Sequence, residues 1–213
     1  MTYSFDDCKF SVKDGFLTLG NSLFSTSFSD IISAEASPGD CQGRPEKFLE
    51  VRAKKADGSL CRYCIWPDLP LVWIPEYREP ALFTFESEHW MIRNVRLRAF
   101  TDDNDTLAEE NEVTFFRGML KGDRHGEMFF FEDPETDNAV VIISEAPDYA
   151  ETTLRVKNYV ATLENGGNGL AIGFCKRGDC EALARTYLRH ARKYGRLVTM
   201  SNTWGDCNSS GRV

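Results

Sequence analysis

Long apolar runs are missing from this sequence. Its longest runs, such as residues 140–143, are far shorter than the roughly 20 residues that a membrane-spanning helix needs. The first residues also lack the basic stretch and the apolar stretch of a secretion signal. Positive charge is limited, because 33 acidic residues outnumber 25 basic ones and leave a net charge of −8. We therefore predict a soluble, cytoplasmic protein with no membrane association and no nucleic-acid partner.

Histidine is scarce as well. His89, His125 and His190 are far apart in the chain, and none stands beside Ser or Cys in a recognisable nucleophile motif. There is no Gly-x-Ser-x-Gly sequence of the kind that holds a nucleophilic serine. Glycoside hydrolysis needs two carboxyl groups at a fixed separation, and sequence spacing alone pairs no two of the acidic residues. We predict no catalytic residue and no cofactor within this chain.

Cysteine occurs in an odd number, which argues against a complete disulfide framework. Without an export signal, we expect reduced thiols. Cys61 and Cys64 have a zinc-like spacing, but no second pair of ligands follows them, and they lie in a strand-like stretch where residues three apart face opposite sides. We therefore expect these two to be buried structural residues and predict no metal site. The seven cysteines stand at positions 8, 41, 61, 64, 175, 180 and 207.

The dominant pattern is a series of short β-forming runs separated by Gly, Asp, Asn and Pro. Asp14-Gly15 and Asp57-Gly58 each stand between two such runs, and both residue types tolerate the positive φ of a tight hairpin turn. About a dozen runs at this spacing predict a β-sandwich or barrel with a bulky, phenylalanine-rich core. The main runs cover residues 9–12, 16–19, 48–52, 60–66, 81–85, 91–100, 113–119, 128–131, 140–144, 154–163 and 170–174.

One segment has helical rather than strand periodicity. Between residues 179 and 194, apolar side chains recur at helical spacing, from Leu183 to Ala191. Asp179 suits the N-cap of this helix, and Glu181 suits its first turn, where the helix dipole favours negative charge. A further apolar, strand-like run follows at residues 197–204. A helix and a new strand after a long β region predict the start of a second architecture.

An acidic stretch at residues 102–112 has some likeness to a calcium-binding loop. An EF-hand loop needs Gly at its sixth position and Glu at its twelfth, and counting from Asp103 these positions hold Ala108 and Thr114. We therefore predict a solvated acidic surface loop.

Aromatic residues alternate with prolines at positions 66–77. Proline removes a hydrogen-bond donor from a β-ladder, so we expect an edge strand or a loop here rather than a central strand. Exposed aromatic rings would stack on sugar rings. Alternatively, they pack inward and the segment covers one end of the sandwich.

The last third of the chain resembles glycoside hydrolase family 36, the melibiase-like α-galactosidases. Residues 139–147 are similar to the family's late sandwich strand, which ends in an acidic-Ala-Pro turn. Residues 167–173 and the helix at 181–194 are similar to its final sandwich strand and linker helix. Residues 198–204 resemble the first strand of its catalytic barrel, which ends in Asn-Asn-Trp-Glu.

This resemblance implies a mainly β fold. The expected architecture is a galactose-mutarotase-like β-supersandwich at residues 1–178, a C-terminal linker helix at 179–195, and at 196–213 the first strand of a (β/α)8 barrel. The family's catalytic Asp residues lie on later barrel strands, and a complete barrel takes about 250 residues. We therefore expect this chain to be a domain of a larger enzyme, truncated as its barrel begins, and to be inactive alone.

Asn202 and Trp204 are the residues that match the family's barrel-strand motif. The carboxyl end of a barrel strand lies at the active site, so the resemblance implies that Trp204 walls the sugar site and Asn202 binds a sugar hydroxyl. Alternatively, Trp204 only packs the barrel mouth. Thr203 and Gly205 depart from the motif, where Asn and Glu are usual, and they indicate a divergent subgroup.

The function implied is that of a non-catalytic N-terminal domain of an α-galactosidase-like glycoside hydrolase. It would give structural support, subunit contacts in a homo-oligomer, and one lip of a site for a galactoside-type carbohydrate bound by the barrel. The alternative is a free-standing carbohydrate-binding or structural β-sandwich protein.

Overall fold

The computed structural model of this chain contains mostly β-strands, with an α-helix after the last of them. No helix among the described residues combines the length and the apolar character that a membrane crossing requires. The predicted segments 102–108 and 196–213 lie outside the described residues. The structure describes residues 2–5, 8–20, 24–39, 48–65, 69–75, 81–85, 90–97, 109–115, 121–126, 128–145, 153–157, 160–164 and 169–193.

The strands are numbered β1 to β17 in chain order, and a 3-10 turn at Arg177–Asp179 connects β17 to the helix α1 at Cys180–Lys193. The bounds of the strands are Thr2–Phe5, Cys8–Lys13, Phe16–Gly20, Phe24–Phe28, Ile31–Gly39, Phe48–Lys55, Leu60–Ile65, Leu71–Pro75, Ala81–Phe85, Met91–Leu97, Glu109–Phe115, Lys121–His125, Met128–Asp133, Asn138–Glu145, Thr153–Lys157, Val160–Glu164 and Gly169–Lys176.

Within the described residues, the strands form two antiparallel sheets. One has eight strands in the order β1-β2-β3-β4-β9-β16-β15-β12, and the other has nine in the order β11-β10-β13-β14-β17-β8-β7-β6-β5. The prediction of a mainly β sandwich with a C-terminal helix is therefore confirmed. Most neighbours in each sheet are also neighbours in sequence, which is typical of meanders joined by hairpins.

Aromatic rings from the two sheets meet in the core between them. Phe24 of the eight-stranded sheet contacts Phe174 of the nine-stranded sheet, with ring centroids 5.9 Å apart. Phe10 and Phe28 both contact Tyr63 across the same gap, at 5.7 and 5.5 Å. All five residues are buried. Fully burying a side chain of this size contributes about 2 to 3 kcal/mol, so these contacts join the two sheets strongly.

The nine-stranded sheet is buried on both faces along its middle strands, from β13 to β7. Along β17, Ile172 points into the core between the sheets, while Ala171 belongs to a second apolar cluster on the opposite face. Helix α1 covers that second cluster with Leu183, Ala184 and Tyr187, which are all buried. The predicted apolar stripe of the helix is thus confirmed at these positions, and it holds α1 against the sheet.

The two predicted hairpins are present, with different turns. Asp14 and Gly15 both take positive φ, 51° and 82°, and form a two-residue turn between β2 and β3. In the second hairpin, only Gly58 has positive φ, 88°, and its N–H donates to the carbonyl of Lys55. The Asp57 turn is therefore a longer loop ending in a left-handed glycine, because Asp57 itself keeps an ordinary φ.

The prediction of an edge strand or loop at residues 66–77 is wrong for its described part. Strand β8 lies inside the nine-stranded sheet, between β17 and β7. Pro70 precedes the strand and Pro75 ends it, so neither proline interrupts the middle of the ladder. The strand is buried throughout because the sandwich core covers one face and the apolar cluster beneath α1 covers the other.

Other strand limits also differ from the sequence prediction. Residues 154–163 form two strands, β15 and β16, which pair as a hairpin rather than running as one strand. Glu109–Phe115 is a strand paired with β10. Residues 109–112, which were predicted to be the end of an acidic loop, therefore belong to a strand. Strands β1, β4, β5 and β12 were not predicted. In β4, serines alternate with buried residues, and this polar content hides the strand from a search for apolar runs.

Candidate functional site

Five side chains with reactive or charged groups meet where helix α1 begins, on the outer face of the nine-stranded sheet. We call them the helix-base cluster, and they are Arg93, Glu132, Cys175, Cys180 and Glu181. Strand pairing explains the sheet part of the cluster. Glu132 pairs with Ala139, and Ala139 pairs with Cys175, so Glu132 and Cys175 lie in one row across three strands.

The chain returns over this row immediately after β17. The 3-10 turn reverses its direction, so the first helical residues, Cys180 and Glu181, come back above the strand that carries Cys175. Because side chains alternate between the two faces of a strand, every second residue of the strands below faces the side of Cys180 and Glu181. Phe129 and Phe131 of β13 point into the sandwich core, whereas Phe130 belongs to the cluster beneath α1.

Arg93 connects the sheet to the helix. Its Nη1 donates to Glu181 Oε1 at 2.6 Å, and its Nη2 donates to Glu132 Oε1 at 3.5 Å. The guanidinium carbon lies 4.6 Å from the centre of the Phe130 ring, in a cation–π arrangement. The arginine thus joins a strand to a helix that is 88 residues away in sequence.

Arg93 and Glu181 shift each other's pKa. Partial burial opposes the charge on Arg93, but Glu181 and Glu132 outweigh it and hold the pKa of Arg93 above its ordinary value. In turn, the hydrogen bond from Arg93 and its positive charge lower the pKa of Glu181. Glu181 is more than half exposed, whereas Arg93 is largely covered, so the ion pair lies at the rim of the interface between helix and sheet.

Two thiols lie side by side in the same cluster. Cys175 Sγ is 3.8 Å from Cys180 Sγ. Cys175 is partly exposed at the end of β17, whereas Cys180 is buried beneath the first turn of α1. The hydrogen bond with Cys175, together with burial and the nearby Glu132 carboxylate, raises the pKa of Cys180. The Cys180 thiol is therefore kept protonated, with its sulfur in contact with that of Cys175.

The sequence interpretation did not bring these thiols together. Only Cys61 and Cys64 were considered together, for their zinc-like spacing, although Cys175 directly follows a predicted strand and Cys180 lies at the start of the predicted helix. Two cysteines that flank a short turn between a strand and a helix were the signal that could have predicted this contact. Cys61 and Cys64, in contrast, lie on opposite faces of β7, one toward the sandwich core and one toward α1, as predicted.

Metal ligands do not converge in the part of the chain that the structure describes. No group of three or more His, Cys, Asp or Glu side chains there has a geometry that would hold a metal ion. In the helix-base cluster, Arg93 already occupies the carboxylates of Glu132 and Glu181. The contacts within the cluster are ion pairs and a contact between two thiols.

The residues that the sequence predicted to bind sugar do not belong to the helix-base cluster. Asn202 and Trp204 lie outside the described residues. Of the aromatic–proline segment, Trp73 is described, and it is 2% exposed beneath α1. Its ring is therefore covered by protein and unavailable for stacking on a sugar, which agrees with the packed alternative at this position.

Comparison with known proteins gives a likeness of fold. No family model matches the sequence, and no curated protein matches it. Among solved structures, the chain is similar to the ligand-free α-N-acetylgalactosaminidase NagBb from Bifidobacterium bifidum, with a TM-score of 0.51 and 11% identity. The match covers 93% of this chain and 40% of that one. The chain shares its fold with part of a glycosidase chain. At this identity the likeness concerns the fold alone, and the chain spans less than half of the neighbour's length.

Proposed function

We propose that this chain is the non-catalytic N-terminal domain of an α-galactosidase-like glycoside hydrolase. One observation carries the proposal. Nearly the whole of this chain matches the fold of a segment that makes up 40% of an α-N-acetylgalactosaminidase chain. Such a share leaves most of a glycosidase chain for other parts, and in the proposed enzyme the catalytic barrel is one of them. The resemblance of residues 198–204 to a first barrel strand supports the same arrangement.

The proposed role of the sandwich is to support the barrel. Helix α1 is held to the sheet by its buried stripe and by the ion pair of Glu181 with Arg93. In the proposed enzyme, this anchored helix positions the first barrel strand, which follows it in the chain. The same domain provides subunit contacts in a homo-oligomer.

The proposed substrate is a sugar with the galactose configuration. The family resemblance implies an α-galactoside, and the structural neighbour is named for N-acetylgalactosamine, whose ring has that configuration. Trp204 would wall one side of the sugar site, and Asn202 would bind a sugar hydroxyl. Both residues stand at the end of the strand-like run that resembles barrel strand one.

The first test is the activity of the 213-residue chain alone. Because the proposed catalytic carboxyl groups belong to later barrel strands, we expect no hydrolysis of nitrophenyl α-galactoside or nitrophenyl α-N-acetylgalactosaminide. Turnover that persists through repeated purification, and that scales with the amount of this protein, would contradict a non-catalytic role.

The second test is to sequence the reading frame beyond the codon for Val213. We expect it to continue through a β/α pattern with Asp residues at strand ends, and we expect the intact product to hydrolyse one of the two nitrophenyl sugars. In that enzyme, Trp204→Ala should raise KM by about tenfold, because it removes a stacking contact on the order of 1 kcal/mol. Leu60→Ala, at an exposed position of the sandwich, should leave KM unchanged. A frame without a barrel, together with galactose binding by the sandwich itself, would instead support the free-standing carbohydrate-binding protein.

A further inference from the structure

We propose that Cys175 and Cys180 are a redox-active pair, which a small-molecule disulfide oxidises to an intramolecular disulfide joining β17 to the first residue of α1. This inference rests on the helix-base cluster and is independent of the proposed glycosidase role.

The geometry places these two sulfur atoms within reach of a bond. Their separation of 3.8 Å must shrink to about 2.05 Å, a change that side-chain rotation and a small shift of the turn can supply. The turn consists of exposed residues, Lys176 to Asp179, so its adjustment disturbs little packing. Cys61 and Cys64 have no such opportunity, because their side chains are on opposite faces of a strand.

The environment assigns different roles to the two thiols. Cys175 is partly exposed and is the sulfur that an oxidant meets first. Cys180 is buried, and its neighbours raise its pKa, so it reacts poorly with outside reagents. Its sulfur nevertheless lies directly beside Cys175, where it can attack once that residue carries a leaving group.

The reaction is a pair of thiol–disulfide exchanges. The Cys175 thiolate attacks one sulfur of oxidised glutathione, forms a mixed disulfide and releases one glutathione thiolate, which takes up a proton. Cys180 then attacks the Cys175 sulfur and gives up its proton to the departing glutathione thiolate, which leaves as the second reduced glutathione. Two protein thiols and one oxidised glutathione thus become one protein disulfide and two reduced glutathione molecules.

The disulfide would fix the base of the helix. It closes a loop of six residues and ties α1 covalently to the sheet it covers. Glu181 follows Cys180 directly, so the bond also restrains the carboxylate that pairs with Arg93. From the loop-closure effect of so short a ring, we expect oxidation to raise the thermal midpoint by about 4 to 8 °C.

Trypsin provides a direct assay, because Lys176 and Arg177 lie between the two cysteines. The full chain would be equilibrated at several ratios of reduced to oxidised glutathione, blocked with N-ethylmaleimide and digested without reductant. A disulfide keeps the tryptic peptides 158–176 and 178–185 joined, and mass spectrometry detects the joined pair. We expect this pair to form at a lower share of oxidised glutathione than any other cysteine pair.

Matched variants test the assignment. Cys175→Ser and Cys180→Ser should each abolish the joined peptides, and Cys175→Ser, at the less buried position, should also abolish the rise in thermal midpoint. Cys61→Ser removes a thiol from another strand and should leave both readouts unchanged. The proposal is overturned if the joined peptides do not form at any ratio, if another pair forms first, or if Cys175→Ser retains the rise.

Discussion

The guanidinium of Arg93 on β10 donates to the carboxylate of Glu181 in the first turn of α1 at 2.6 Å. The same guanidinium also contacts Glu132 on the neighbouring strand and lies over the Phe130 ring. One side chain therefore connects two strands of the sheet to the helix that covers them. Because Arg93 is largely covered, this ion pair is screened less by solvent than a fully exposed one.

Removing the charge of Glu181 should weaken the fold in a pH-dependent manner. The folded pKa of Glu181 is lowered from its ordinary value of 4.5 by the hydrogen bond from Arg93. A lowered carboxyl pKa stabilises the fold above the unfolded pKa, and the stabilisation disappears as the pH falls through the folded pKa. We expect Glu181→Gln to lower the free energy of unfolding by about 0.5 kcal/mol at pH 7. Urea unfolding from pH 7 to pH 3 should show this difference shrinking below pH 4.5.

The control for this prediction is Asp179→Asn, which removes the same charge from an exposed position just before α1. Both acids interact with the helix dipole, whereas Glu181 also binds Arg93. We expect the control to lose less than half as much stability. Equal losses in the two variants would attribute the effect to the dipole rather than to Arg93.

Gly173 lets the helix approach the sheet. A Cβ at this position would lie 2.7 Å from Leu183 Cδ2, so the leucine would have to move. We expect Gly173→Ala to cost about 1 to 2 kcal/mol, measured by urea unfolding. Gly178→Ala is the matched control, because nothing lies within 4 Å of its Cβ position. Leu183→Ala should make the Gly173→Ala change nearly neutral, and simple addition of the two costs would contradict the proposed contact.

Trp73 should act as a core residue and not as a surface aromatic. It is 2% exposed, so truncation leaves a large cavity between β8 and α1. We expect Trp73→Ala to cost about 3 to 5 kcal/mol of stability by thermal or urea unfolding. Leu60 on the adjacent strand is 69% exposed, and Leu60→Ala should change stability by no more than about 0.5 kcal/mol. A cost for Trp73→Ala near that of Leu60→Ala would mean that the ring is not packed.

The turn at Gly15 should discriminate between Ala and Asn as replacements, because only Asn tolerates its backbone conformation well. Its φ of 82° is a left-handed conformation, which costs Ala roughly 1 to 2 kcal/mol but is tolerated better by Asn. Gly15→Ala should therefore lower the thermal midpoint more than Gly15→Asn. If both variants unfold at the same temperature, the turn relaxes to an ordinary φ and the two-residue hairpin geometry is not maintained.

Features that depend on neighbouring residues were predictable from the sequence. The Asp14-Gly15 hairpin and helix α1 are examples, because turn chemistry and helical periodicity act over a few residues. Strand β8 was not predictable in the same way. Its flanking prolines indicated an edge or loop, and only its pairing with β17 and β7 shows that they bracket a central strand.

Local propensity and alternation along the chain were enough to predict the mainly β class, the Asp14-Gly15 turn and the apolar stripe of α1. The membership of the helix-base cluster, in contrast, follows from the three-dimensional fold. Arg93 meets Glu181 across 88 positions because the strand order places β10 beside β13 and lets α1 return over both β14 and β17. Cys175 meets Cys180 because a 3-10 turn reverses the chain between them. The Arg93–Glu181 contact depends on long-range strand pairing, which no local pattern in the sequence encodes, whereas the Cys175–Cys180 contact depends on the short turn between β17 and α1.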